Sequence, residues 1–477
     1  MTNNIQALRL ENGLSVSELA TYLNVTPSYI TKIEKGEFEI TSALETKLIQ
    51  LFLCNKKQLT ETVQEQTMLY SFTAKDVTFK NNNQISVHRW YPYIEGYSEV
   101  FVKNILSNYN NDKTVYDPFN GSGTTMLTSA YMGFNVLASE INPLMRFIAD
   151  TKVNSVYNII NDVNKVKLLE SYIDSYNNIF DNEYPDVMDS KYINDCYIND
   201  NFFEDSVIKQ LAYIKSTIQG IFDIDVKAVL RLALAAIIVD SSNMIRAADL
   251  RRRTPDEYDN QGGAISRFKS KLNHILSDIL SLEIYPLRNA IFISDNAKAV
   301  DCRYRNSVDV VITSPPYMNG TNYFRNTKLE LWILDFISNR DDLKSFRRQA
   351  ITAGINNVSS DIRLETTFDF VEIYASKLDE ISPDKRIPKM VRAYFNDMSK
   401  VFSNMEMMLR EDGKIYFDIG DSEYYGVHIP VDELIVVIAE RCGLTLSESI
   451  ITRKRKSKKG TTLTQKLLVF TKGDSNL

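Results

Sequence analysis

The stretch from Thr114 to Ser139 constrains the fold more than any other part of the sequence. Thr114-Val115-Tyr116 is a short apolar strand. A turn containing Gly121 and Gly123 follows, then a helix over Thr124–Met132 that stops at Gly133, then a second strand, Asn135–Ser139. A strand joined to its neighbour through a helix runs parallel to it, and parallel sheets carry helices on both faces. Five further runs read as strands: Ala290–Ser294, Val308–Thr313, Lys414–Ile419, Ser449–Lys454 and Lys466–Thr471. Alternation with helices predicts an α/β fold with a doubly wound sheet. The mostly helical stretch of about 150–285 is far longer than a crossover needs, so it is an insertion. A charged stretch of about 335–395, poor in strand signal, is a second one.

Residues 1–60 have a different texture. Ile5, Leu8, Leu14, Leu19, Leu23, Ile30 and Ile33 recur at helical spacing. Ser15-Val16-Ser17-Glu18 fits a capping box, and Asn24 ends that helix. Thr26-Pro27 opens the next with a capping hydroxyl and a proline in the first turn, and Gly36 closes it. Two helices joined by so short a turn predict a helix-turn-helix. Residues 61–87, polar and irregular around Lys80-Asn81-Asn82-Asn83-Gln84, read as a linker to a second domain over 88–477.

The 477 residues are long enough for two or three domains, and the formal net charge of −6 excludes a strongly basic or acidic class without excluding local patches. Four cysteines, none in a CxxC pair, and three histidines argue against a zinc site or a disulfide scaffold, so no metal is expected. No apolar run approaches the ~20 residues that span a bilayer, and the N-terminus lacks a signal-peptide pattern. A cytoplasmic protein without a membrane partner is the expectation.

Two segments carry chemistry. The first is Asp117-Pro118-Phe119-Asn120-Gly121-Ser122-Gly123-Thr124, a glycine turn opening a helix, where a ligand approaches the backbone and meets unpaired amides. Glu140, at the end of the second strand, stands where a carboxylate can accept hydrogen bonds from ribose hydroxyls. Position 126 is Met, so the GxGxxG pattern of dinucleotide binding is absent. The second is Ser314-Pro315-Pro316-Tyr317, directly after the apolar run Val308–Ile312 and thus at the carboxyl end of a buried strand, the edge where α/β sheets bind ligands. The prolines fix the backbone and leave carbonyls without neighbouring donors. An acceptor array beside an aromatic ring suits a flat heterocycle bearing an amino group. Tyr317 would stack on the ring, and Ser314 and the Pro315 carbonyl would hold the amine.

Together these segments resemble the motif pair of amino-group DNA methyltransferases, which use S-adenosylmethionine. Coverage runs over about 88–150 and 290–473 and leaves the helical insertion unmatched. The resemblance implies a Rossmann-like methyltransferase sheet and a set of roles. Asp117, Pro118, Phe119, Asn120, Gly121, Ser122, Gly123 and Thr124 would bind the cofactor, with the Phe119–Gly123 backbone cradling its methionine part and Asp117 near its amino group. Glu140 would take the ribose, and Asp295 with Asn296 the adenine. Ser314, Pro315, Pro316 and Tyr317 would hold an extruded base for direct methyl transfer, with no covalent intermediate. Ser-Pro-Pro-Tyr in this family mostly accompanies cytosine N4; adenine N6 is the alternative, and a transcription regulator with a non-catalytic methyltransferase fold is another. Double-stranded DNA is the implied partner, and a cognate restriction endonuclease acting on the same site is the implied companion.

Residues 5–53 resemble the Cro-type repressor family. Thr26–Lys35 would be the recognition helix, with Ser28, Tyr29, Thr31 and Lys32 on its outer face. Six basic and six acidic residues leave 1–60 neutral. Such a domain could regulate the enzyme's own promoter or add to target recognition; a protein-interaction module is the other reading. The clusters Arg251-Arg252-Arg253 and Arg453-Lys454-Arg455-Lys456 are candidates for phosphate contact, with Arg453 and Arg455 foremost in the second.

Overall fold

A computed structural model describes residues 5–52 and 76–473, apart from 12–13, 36–37, 39, 94–95, 180–183, 188–191, 248, 260–261, 319–322, 359–363, 365 and 457–459. Gly36 therefore lies outside the described residues, as does most of the expected linker.

Four helices, Ile5–Glu11, Val16–Leu23, Pro27–Glu34 and Ser42–Phe52, form the N-terminal unit. Its start and stop signals act as their chemistry requires. Ser15 Oγ accepts from the Glu18 amide, and the Glu18 carboxylate accepts from the Ser15 amide. Asn24 takes a left-handed conformation, φ +57°, and ends the second helix. Thr26 caps the third. Ile5, Leu19, Leu23, Ile30, Ile33 and Leu48 make one core, and an ion pair between Arg9 Nε and Glu34 Oε1, 2.6 Å, ties the first helix to the third.

Among its described residues the second unit has eleven strands. They are β1 (Thr114–Asp117), β2 (Asn135–Ser139), β3 (Met244–Arg246), β4 (Leu250–Arg252), β5 (Ala290–Ser294), β6 (Val308–Thr313), β7 (Leu409–Gly420), β8 (Ser422–Tyr424), β9 (Val427–Ile429), β10 (Leu444–Lys456) and β11 (Thr462–Lys472). Seven of them form one sheet in the order β10-β11-β7-β6-β1-β2-β5. The five from β5 to β7 are parallel, and β11 runs antiparallel to both its neighbours. β6 is buried along its whole length, as a central parallel strand should be. Its residues divide between the two faces: Val310 and Ile312 pack with helix Glu99–Leu106, Val308 and Val311 with helix Arg386–Met408. The doubly wound sheet read from the sequence is thus present, with every strand candidate in it.

The first insertion is helical as expected, with the β3–β4 hairpin added. Its helix Ile224–Ile237 is buried from Leu232 to Ile237 and shares one apolar core with the helix after the glycine turn. The end of the expected linker is corrected. Residues 76–87 pack into the sheet unit: Val77, Phe79 and Asn82 are buried. Asn82 Nδ2 donates to the Tyr97 carbonyl, and Asn82 Oδ1 accepts from the Glu99 amide. The asparagine run misled because it forms a short 3-10 helix in which Asn82 bonds inward while Lys80, Asn83 and Gln84 stay exposed.

The chain beyond it is anchored by one carboxylate. Asp278, buried on helix Ala264–Ser281, accepts from Trp90 Nε1 at 2.7 Å, the Val87 amide at 3.3 Å, Ser86 Oγ at 3.2 Å and the Arg89 guanidinium. Val87 sits at φ +64°, a conformation a β-branched residue adopts only under constraint. Asp278→Ala leaves the Trp90 and Val87 donors buried and unpaired. A loss of about 3 kcal/mol in stability is expected, read as a lower denaturant midpoint.

Candidate active site

In the sheet, β1 has β2 on one side and β6 on the other. The chain leaves β1 toward β2 and β5, then crosses over to β6, so the order reverses between β1 and β6, where doubly wound sheets open a crevice. The glycine turn follows β1 and the Ser-Pro-Pro-Tyr turn follows β6. Both line one cavity of about 290 Å³. The two segments singled out in the sequence are therefore brought together.

Asp117, the last residue of β1, joins them. Its carboxylate accepts from Thr313 Oγ1 of β6 at 2.7 Å, from the Phe119 amide at 3.0 Å and from Tyr97 Oη at 3.3 Å. Burial raises its pKa to about 6, against the lowering effect of those donors. Beside it, Glu140 is held by two backbone amides, Gly121 at 2.7 Å and Asn142 at 2.8 Å, and burial raises it to about 7. Asn120 Oδ1 is buried with no hydrogen-bond partner. The two glycines do different work. Gly121, φ +50°, lines the cavity, and a Cβ there would stand 3.0 Å from Tyr93 Oη. Gly123, φ +91°, is outside the lining; its missing Cβ makes room for Ala149, 2.8 Å away, on the next helix.

Ser314, Pro315, Pro316 and Tyr317 all line the cavity. Tyr317 Oη donates to Asp418 Oδ2 at 2.6 Å and accepts from Gln465 Nε2 at 3.0 Å. Gln465 Nε2 also donates to Asp418 Oδ2 at 2.7 Å, and the Ser314 hydroxyl donates to Tyr317 Oη at 3.4 Å. Burial raises Asp418 to about 6. The result is a row of hydroxyls, Ser314 to Tyr317, ending on a buried carboxylate. Asp418 on β7 and Gln465 on β11 escaped the sequence reading. Asp418 had a signal, a charge inside the apolar run Ile415–Ile419; Gln465 had none.

Other expected residues fall as follows. Pro118, Phe119, Ser122, Thr124 and Asn296 line the cavity. Asp295 does not: it is exposed, while the turn that bonds the Asn296 amide to Ser294 Oγ presents Asn296 to the lining. Arg453 and Arg455 line the cavity, and Arg455 also donates to the Asp421 carbonyl. The arginine triplet does not line the cavity, and its donors bond within the protein. Arg251 pairs with Glu257 at 2.6 Å, Arg252 donates to the carbonyls of Asp200 and Asn201, and Arg253 to those of Met244 and Glu257. Arg246, just before the triplet, is the one that reaches the cavity, where it meets Glu330 and Tyr91. On the third helix, Ser28 and Lys32 are exposed and Tyr29 and Thr31 half-buried, with Thr31 Oγ1 bonded back to the Pro27 carbonyl.

Comparison with known proteins agrees with both units. Residues 5–51 match the helix-turn-helix family HTH_3. Over 440 residues the chain is 26% identical to the Type II methyltransferase M.BsoBI of Geobacillus stearothermophilus, spanning 81% of this chain and 84% of that protein. The chain is similar to Type II methyltransferases. M.AvaI, from a Nostoc species and from Anabaena variabilis, is 23% identical over 418 residues, 80% of this chain and 84% of its own.

Gly123→Ala tests the glycine turn. The backbone stands where L-residues are strained and the methyl meets Ala149, so a stability loss of about 2 kcal/mol is expected, measured by thermal unfolding.

Proposed function

We propose that the chain is an S-adenosylmethionine-dependent DNA methyltransferase that modifies the N4 amino group of cytosine at a defined site in double-stranded DNA. The observation that carries this reading is the shared cavity, in which the glycine turn after β1 faces the Ser314–Tyr317 turn after β6. The similarity to Type II methyltransferases supports a restriction–modification setting, with a cognate endonuclease as companion.

The residues present fit the cofactor. The unpartnered Asn120 Oδ1 and the Asp117 carboxylate are acceptors for an ammonium group, and Glu140, pinned by two amides, keeps lone pairs for a ribose diol. Phe119 and Asn296 supply an apolar face and a polar edge for a purine. When bound, S-adenosylmethionine supplies an electrophilic methyl group.

The chain's own residues prepare the acceptor. A base in a duplex hides its amine, so it is extruded. The hydrogen of Ser314 Oγ is committed to Tyr317, which turns the serine lone pairs toward the cavity. The carbonyl of Pro315, which lines the cavity, is a second acceptor. Two acceptors on one amine draw its lone pair out of ring conjugation and aim it, a positioning effect. As the new N–C bond forms, the amine must lose a proton. Ser314, Tyr317 and Asp418 provide the route, and Asp418, ionised above pH about 6, holds it.

Around the cavity, Arg453 and Arg455 are placed to hold DNA, and Ser28, Tyr29, Thr31 and Lys32 give the helix-turn-helix a second contact, at a promoter or at the target.

Two measurements test this. Nucleoside mass spectrometry of DNA from a host expressing the chain should show N4-methylcytosine; N6-methyladenine would overturn the base assignment, and unmodified DNA the activity. Methyl transfer should fall as pH drops through about 6, where Asp418 takes up a proton. Asp418→Asn should lose at least 100-fold in turnover. It should not lose stability at neutral pH. Ionisation of a carboxyl whose folded pKa is raised opposes folding as pH climbs from about 4 to its folded value.

A further inference from the structure

Next to the methyl-transfer cavity is a second, more open one of about 340 Å³, lined by Tyr197, Arg325, Lys328, Leu343, Arg347 and Asn356. The two share walls. Phe324 and Thr327 face the first cavity while Arg325 and Lys328 face the second; Gln349 and Arg347 divide in the same way, as do Asn357 and Asn356. A ligand in one is therefore within a residue's thickness of a ligand in the other.

The second cavity carries a surplus of positive charge. Asp249 pairs with Arg325 at 2.9 Å, and Asp200 pairs with Arg340 on the adjoining helix at 2.8 Å. Those two carboxylates also act on Lys328 from further off. Among the described residues, Lys328 has no ion-pair partner; its ammonium lies over Phe202, 4.2 Å from the ring centroid. Arg347 Nε is buried and has no hydrogen-bond partner. Burial, and next the charge of Arg325, favour the neutral form of Lys328. Arg347 is held down by burial as well, with Arg325 again opposing its charge. Cations so placed repel one another until an anion enters, and a guanidinium with an unused N–H matches a phosphate oxygen.

We propose that this cavity seats a backbone phosphate flanking the extruded nucleotide. The proposal rests on the methyltransferase reading above, which puts DNA at the adjoining cavity. A base leaves the stack by rotation about its own backbone, so the phosphates beside it stay at the pocket mouth and must be held against the distortion. Arg325, Lys328 and Arg347 stand where that grip is needed. They specify position and not sequence.

The test uses the full chain and a duplex that it methylates. Arg347→Gln and Lys328→Gln should each weaken duplex binding about tenfold and make the slope of log affinity against log salt shallower by about 1. Lys344→Gln, which removes a charge from the same helix outside the cavity, should leave the slope as it is. S-adenosylmethionine binding by calorimetry, measured on each variant, guards against misfolding and should match the wild type. A neutral methylphosphonate beside the target base should weaken the wild type by the same factor and Arg347→Gln by nothing further. Variants that keep the wild-type slope and affinity, while the wild type methylates DNA, would overturn the phosphate seat alone. A wild-type chain that neither binds nor methylates DNA would overturn the function as well.

Discussion

The site depends on the Asp117 carboxylate at the point where the sheet reverses its order. It bonds to Thr313 across 196 residues of sequence, to the amide that begins the glycine turn, and to Tyr97 from the segment packed over both. The tilt of the two turns toward one cavity follows from that clamp. A carboxylate in such burial is costly, and three donors are what offset it. Without them the ends of β1 and β6 would still be neighbours, but their turns would have no common orientation.

Much of this was legible before any coordinates. Strands of a parallel sheet announce themselves because burial on both faces favours apolar residues, and Val310–Ile312 reads that way. Glycine and proline at their ends are equally plain, since backbone geometry demands them. Gly121 and Gly123 looked equivalent, yet one lines the cavity beside Tyr93 and the other makes room for a neighbouring helix; spacing alone does not separate those uses. Asp418 was half visible as a charge in an apolar strand. Gln465 was invisible, because an amide on an edge-side strand resembles any solvated residue until its partner is known. Residues 76–87 failed for the opposite reason: polar composition suggested solvent, but Val77, Phe79 and the Asn82 side chain turn inward.

Charge followed a similar pattern. A run of arginines attracts notice, yet Arg251 bonds to the Glu257 carboxylate, Arg252 to the carbonyls of Asp200 and Asn201, and Arg253 to that of Glu257. Isolated cations matter more. Arg246 reaches the cavity only because the hairpin turns it inward to Glu330. Arg325, Lys328 and Arg347 come from three separate helices, and nothing in their spacing announces that they meet. A formal charge of −6 over the whole chain is compatible with positive ground around one crevice.

The β10–β11 ribbon has one more implication. Arg453 lies directly opposite Gln465 in the ladder, and Gln465 holds the Tyr317 hydroxyl. A paired antiparallel ribbon slides with difficulty, since a shift of one residue turns every side chain over. A displacement of Arg453 would therefore be passed through its ladder partner Gln465 to the tyrosine hydroxyl that Gln465 holds.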